Sequence, residues 1–205
     1  MRQFIKQHWF KLNFVVLVMV IIGISIYQIN AQSAKQEFKR LGAAPAFQLE
    51  NRDGNMMSLD DTSGKVRLIY FYFSTCPDVC MPTTALLAEV QEELRKKKAL
   101  GDKAVMLSVS FDPENDTKER LEEYSSFFNA DPDAWFFLRG DSEEQMKELA
   151  NEYSILVEKD QDGNFVHNNN FILVDSQGEI RHFYSVDLET KADQIANDMV
   201  ALYNE

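Results

Sequence analysis

Hydrophobic and polar positions alternate in different ways along this chain. Residues 12–27 are almost entirely apolar, broken only by Asn13, Gly23 and Ser25. With its neighbours this run reaches roughly 18 residues, near the lower limit for crossing a hydrocarbon core of about 30 Å. Further on, 66–73 and 104–111 are short runs of apolar and aromatic residues, the pattern of buried strands. Between them, Leu86, Leu87, Val90 and Leu94 fall at helical spacing and predict a helix over 83–98. Asp112-Pro113 ends the second strand, and Leu121, Tyr124 and Phe128 give one apolar face to a helix over 117–128. A short strand is expected at 135–138. Ser142-Glu143-Glu144-Gln145 has the form of a capping box opening a helix to Tyr153. Residues 47–50 and 56–59 flank Arg52-Asp53-Gly54-Asn55 as a hairpin, and 160–164 reads as another Gly-bearing turn. Strands at 171–174 and 180–184 pair across 175–178, and a helix over 188–203 follows.

Strands alternating with helices, then a hairpin and a helix, specify an α/β fold: a thioredoxin-like central sheet flanked by helices, preceded by one N-terminal transmembrane helix. The expected division is a cytoplasmic N-terminus (1–11), a transmembrane signal anchor (12–29), a tether (30–44) and the folded domain (45–205). Arg2, Lys6 and Lys11 precede the apolar run and no acid does, which places the C-terminal bulk on the extracytoplasmic side of a cell membrane, in a single pass. A cleaved signal peptide, cut near Ile29-Asn30-Ala31, is the competing reading, but the run is long for one. No cysteine follows the run closely, so lipid attachment there is excluded. The short N-terminus, basic but not Arg-rich, favours a bacterial membrane over a mitochondrial one.

Charge narrows the partners. The 205 residues carry 33 acids against 21 bases, a net charge of −12. So negative a chain argues against nucleic acid and anionic lipid as partners and suits docking on a basic patch. There is no Gly-rich phosphate loop, no acid cluster spaced for calcium and no internal repeat.

The chain's two cysteines lie in Ser74-Thr75-Cys76-Pro77-Asp78-Val79-Cys80-Met81-Pro82, between a buried strand and a helix. Two cysteines cannot make a disulfide framework, so the hydrophobic core must hold the domain. At a helix N-terminus, free N–H groups favour the thiolate, and Pro77 and Pro82 suit a first turn. Residues i and i+4 of a helical turn share a face, so Cys76 and Cys80 could form a strained disulfide or aim both sulfurs at one metal. They are therefore a redox-active pair or two metal ligands. The gap of three residues, one wider than in the thioredoxin pair, favours metal.

Three histidines are available as a third ligand. His8 precedes the membrane segment, and His182 reads as a half-exposed strand residue. His167 opens His167-Asn168-Asn169-Asn170, just before a strand, where a thioredoxin-type sheet faces its cysteine turn. Thiol oxidoreductases of that fold place a cis-proline there, and this chain has none available. Cys76, Cys80 and His167 make a donor set suited to copper, as Cu(I) or as a Cu(II)–thiolate. Asp78 could tune the thiolates or meet a partner, or simply favour the helix dipole. Met81 offers a thioether, with a packing role expected. Tyr70, Phe71, Tyr72 and Phe73 read as core.

These segments resemble the Sco/SenC family, the copper-binding proteins of cytochrome c oxidase assembly. The resemblance rests on residues 72–80, on Ser110-Phe111-Asp112-Pro113-Glu114-Asn115-Asp116-Thr117, and on His167 followed by Phe171-Ile172-Leu173-Val174-Asp175. It covers about 45–203. It implies a thioredoxin-like fold and copper held by Cys76, Cys80 and His167. It also implies delivery of copper to, or reduction of cysteines in, the copper-A subunit of the oxidase or another copper or thiol partner. Two features depart from the family pattern: Met81 separates Cys80 from Pro82, and Val166 rather than an acid precedes His167. A metallochaperone role is expected ahead of an enzymatic one. The alternative is an extracytoplasmic thiol–disulfide reductase, which needs the cysteines but not His167. A peroxidase is disfavoured because no proline and threonine stand ahead of Cys76 in the peroxiredoxin pattern.

Overall fold

The computed structural model describes residues 13–14, 16–23, 38–76, 79–159 and 165–205. The chain divides into two units, Met1–Glu37 and Phe38–Glu205. In the first, residues 13–14 and 16–23 are helical. Among the described residues, no helix is long and apolar enough to cross a membrane. The anchor expected over 12–29 lies partly outside the described residues, as does His8 wholly.

The second unit's strands are β1 (Gly42–Ala43), β2 (Gln48–Asn51), β3 (Met56–Ser58), β4 (Val66–Tyr72), β5 (Ala104–Ser110), β6 (Trp135–Arg139), β7 (Val157–Lys159), β8 (Phe165–His167), β9 (Asn170–Val174) and β10 (Glu179–Ser185). Its helices are α1 (Cys80–Lys96), α2 (Lys118–Phe127), α3 (Glu143–Glu152) and α4 (Ala192–Tyr203). One sheet runs β1-β10-β9-β4-β5-β6-β2-β3, and β7 and β8 form a second, small one. β4, β5 and β6 are parallel, with α1 and α2 as the helical crossovers such pairing requires. β9 is antiparallel to β4 and β10 to β9.

β4 is buried at every position because neighbours flank it on both edges and side chains cover both faces. Alternation along the strand sends Tyr70 and Tyr72 one way and Phe71 the other. Tyr72 stacks on Tyr124 of α2 at 5.2 Å, and Phe71 meets Tyr153, just after α3, at 5.5 Å. Arg67 interrupts the apolar run without exposing it. It donates from Nε to Thr62 Oγ1 (2.9 Å) and from Nη1 to the Asp175 carbonyl (2.6 Å), so its burial leaves a satisfied ion.

Three details differ from expectation. First, α1 begins at Cys80, three residues early, because Pro82 is tolerated in a first turn. Second, residues 38–44 of the expected tether belong to the packed unit: Phe38 is buried, its carbonyl accepts Arg181 Nε (3.1 Å) and Nη2 (2.6 Å), and β1 pairs with β10. Third, the capping box of α3 is half made. Ser142 Oγ accepts from Gln145 N, while the Gln145 side chain accepts from Asp141 N and not from Ser142 N. The expected turn at 160–164 lies outside the described residues.

Candidate metal centre

β4 delivers the chain to the cysteine loop, and α1 carries it away. Between them Ser74 and Thr75 form a turn, and Cys76 N donates to the Phe73 carbonyl at 3.3 Å. Cys76 therefore precedes the helix, and the expected i, i+4 relation within one helical turn does not hold. Cys80 is the first helical residue. Both cysteines are free thiols, Cys76 half-buried and Cys80 only 1% exposed. Pro77 and Asp78 lie outside the described residues.

The loop is pinned from below by Asp116, a member of the 110–117 segment. Its carboxylate accepts from Ser74 N at 3.1 and 3.3 Å and from Ser110 Oγ. Arg120 Nε donates to Ser74 Oγ at 2.9 Å. Burial raises the Asp116 carboxyl above its ordinary range, partly offset by the Ser110 and Ser74 hydrogen bonds.

His167 ends β8 and reaches the same place from the other side. Its Nε2 lies 3.9 Å from Cys80 Sγ. Its Nδ1 lies 3.1 Å from the Asn168 carbonyl, which can only accept, so Nδ1 carries the proton and Nε2 presents its lone pair to the sulfur. The ring meets Phe111 edge-on at 5.0 Å and Phe73 at 6.0 Å. Burial among these rings lowers its proton affinity, against a smaller opposing effect of the Asn168 carbonyl, so the imidazole is neutral at pH 7. A backbone carbonyl orienting one ring nitrogen is the arrangement that presents the other to a metal.

Cys80 corrects an expectation. A helix N-terminus favours a thiolate, yet burial dominates here and pushes this thiol up to about 12; the nearby Cys76 adds to the rise, while the Phe73 backbone and Tyr70 hydroxyl oppose it. Cys80 is a buried, neutral thiol.

A separation of 3.9 Å between sulfur and nitrogen is less than the sum of two ordinary metal–ligand bonds of about 2.0 and 2.3 Å. Thiolate and imidazole suit copper. Cys76 influences Cys80 electrostatically, but among the described residues no three His, Cys, Asp or Glu side chains converge into a closed metal cluster. Cys80 and His167 meet, and Cys76 lies near Cys80.

Other expected residues lie elsewhere or play other parts. His182 sits in β10 between the rings of Phe38 (6.1 Å) and Tyr184 (4.5 Å), an ordinary strand position. Met81 is 38% exposed at the start of α1, so the expected packing role fails: the helix turns it outward. Sequence reasoning missed Asn168, whose carbonyl sets the His167 tautomer. It also missed Asn169, whose Nδ2 donates to Thr83 Oγ1 at 2.9 Å and ties the histidine loop to α1. The run of asparagines after His167 was their only signal.

The sheet, its flanking helices and a thiol pair at the strand-to-helix turn define a thioredoxin-like α/β protein with a histidine set against the second thiol. The SCO1/SenC family model matches residues 34–204, and the chain belongs to that family. Among its relatives is the SCO1 protein homolog of Bacillus subtilis, 31% identical over 155 residues, which are 75% of this chain and 79% of that protein. BsSco, a member of the Sco family of cytochrome c oxidase assembly proteins in which a disulfide switch was identified, matches with a TM-score of 0.72 and 28% identity, over 82% of this chain and 98% of that one. Copper-bound ScoI of Bradyrhizobium japonicum matches with a TM-score of 0.65 and 26% identity, over 78% of this chain and 99% of that one.

Proposed function

We propose that this protein is a copper chaperone that assists assembly of the copper-A site of cytochrome c oxidase, holding one copper ion through Cys76, Cys80 and His167. The observation that carries this reading is the bare Nε2 of His167 at 3.9 Å from Cys80 Sγ, in a pocket walled by Phe73 and Phe111. The half-buried Cys76 supplies the third donor by turning toward that pair. Copper is cargo, bound as Cu(I) or Cu(II). Residues 12–29 serve as a single membrane anchor with the thioredoxin-like domain on the extracytoplasmic side. Copper-bound relatives and the family's place in oxidase assembly support the reading.

A second reading is favoured by the two free thiols beside each other and by the disulfide switch of BsSco. In it, Cys76 and Cys80 exchange electrons with cysteines of a partner. The reduced pair loses two electrons and two protons and closes a disulfide, while the partner's disulfide becomes two thiols. Copper titration of the reduced full chain separates the two readings. One tightly bound ion with a thiolate charge-transfer band supports the chaperone. Weak binding, alongside rapid exchange with a disulfide peptide, supports the reductase.

A further inference from the structure

Between the start of α1 and the segment 186–191 that links β10 to α4 lies an open cleft of about 460 Å³. Its apolar lining comes from Val79, Pro82 and Leu86 on one element and from Val186 and Leu188 on the other. Leu188 is fully exposed, so this apolar surface meets water in the free protein. Contiguous apolar surface of that kind marks an interaction site. The cleft adjoins the candidate metal centre. Val79 immediately precedes Cys80, and Asn169, which also lines the cleft, stands two residues after His167.

Away from the metal centre the lining turns acidic. Glu89 and Thr190 also line a second cleft, of about 560 Å³, which continues along α1 past Glu92 and Glu93 and beside Asp193 of α4. Positions 89, 92 and 93 share one helix face. Glu92 and Glu93 pair with Arg95 and Lys96 within the helix. Among the described residues, no ion pair involves Glu89, Asp187 or Asp193. Against these acids stand Lys96, already paired with Glu93, and Lys191. The joined clefts are thus apolar at the thiol end and net negative beyond it.

We propose that they dock an extended segment of a partner polypeptide, with one apolar side chain beside Val79 and Leu86 and lysine or arginine side chains following along Glu89 and Glu93. This rests on the proposed function only in that both of its readings bring a partner protein to Cys76 and Cys80. The spacing agrees. Leu86 and Glu93 are about 10 Å apart along the helix axis. Side chains on one face of an extended chain recur every ~6.6 Å, so an apolar residue with basic residues two and four positions later spans that distance. A second copy of this chain fits less well, because a net charge of −12 sets two acidic rims against each other.

The test titrates the isotope-labelled, reduced full chain with the hexapeptide Ala-Leu-Ala-Lys-Ala-Lys and follows the amide NMR signals. Signals of 79–93 and 186–191 are expected to move. Replacing the peptide's leucine with serine should weaken binding at least about fivefold, and replacing its lysines with glutamates should abolish it. In the protein, Leu188→Ser and Glu89→Lys each alter an exposed side chain and should weaken binding at least about threefold. Glu144→Lys makes the same charge change on the exposed surface of α3 and should leave the affinity in place. Equal affinity for all three peptides, signal changes confined to other surfaces, or equal losses in Glu89→Lys and Glu144→Lys would overturn the proposal. So would self-association of the parent that Leu188→Ser abolishes, which would assign the cleft to a second copy. The proposed function fails separately: a chain that binds the peptide selectively but neither copper nor a partner disulfide keeps its docking cleft and loses that function.

Discussion

The Cys80 sulfur and the His167 Nε2 lie 3.9 Å apart although 87 positions separate them in the chain. The sheet makes this possible. The cysteine loop that leads to Cys80 leaves the end of β4, and β9, antiparallel to β4, begins three residues after His167 at that same end. The Asn169–Thr83 hydrogen bond then ties the two loops directly.

Replacing His167 with Ala should therefore weaken copper binding at least about tenfold, the scale on which even outer-shell partners act. It should also change the Cu(II) optical and EPR spectra, leaving the fold intact because His167 occupies a half-buried edge of a three-residue strand. Side-by-side titrations of the two full chains check this. Equal affinity and equal spectra would remove His167 from the ligand set and shift weight to the thiol–disulfide reading.

The two cysteines should differ in reactivity. Cys76 is half-buried in a turn, whereas Cys80 is buried and its thiol is pushed up to about 12. Only thiolate is alkylated, so iodoacetamide at pH 8 should label Cys76 at least about ten times faster than Cys80. Peptide mapping by mass spectrometry during a time course reads the order directly. Equal rates would mean that the pocket over Cys80 opens freely.

The long elements were legible in the sequence because their signals are periodic. Leu87, Val90 and Leu94 mark the buried stripe of α1, and all seven positions of β4 and of β5 are buried, as their runs predict. What escaped has physical causes. β1 and β8 are two and three residues long, too short for any period to register. Arg67 is invisible as a core residue until its acceptors, one of them 108 positions away, are known. The three candidate ligands were named from residue type and position. The direction of the Cys80 shift was not, since a helix N-terminus can be read from sequence but the burial of a single residue at a strand-to-helix turn cannot.

Asp116 should prove structural for the site. Asp116→Ala strips the acceptor from Ser74 N and Ser110 Oγ, both buried. An unpaired buried donor costs about 1–3 kcal/mol, so urea unfolding should show a loss in that range, with copper affinity falling as the loop loosens. Asp116→Asn keeps one oxygen acceptor and should recover part of both. An Ala variant as stable as the parent would mean that water replaces the carboxylate.

Acid should weaken the fold through Asp175. Burial alone would raise this carboxyl, but hydrogen bonds from Glu179 N (2.9 Å), Arg181 Nη1 (2.8 Å) and Gln177 N (2.9 Å) outweigh it and bring the pKa below the ordinary value. The unfolded carboxylate titrates near about 3.9. Between the folded and unfolded values the unfolded chain binds more protons, so stability rises with pH across that interval. The contribution is complete above roughly pH 5 and disappears as pH falls through the folded value. Asp116 and Asp198, both raised chiefly by burial, act in the opposite sense, so the parent's curve is a composite. The difference between the parent and Asp175→Asn isolates the residue. Urea midpoints measured from pH 3 to 7 should show the parent ahead at neutral pH, with the gap closing in acid. A gap constant over that range would mean that the carboxylate's charge contributes nothing and that only its hydrogen-bonding shape matters.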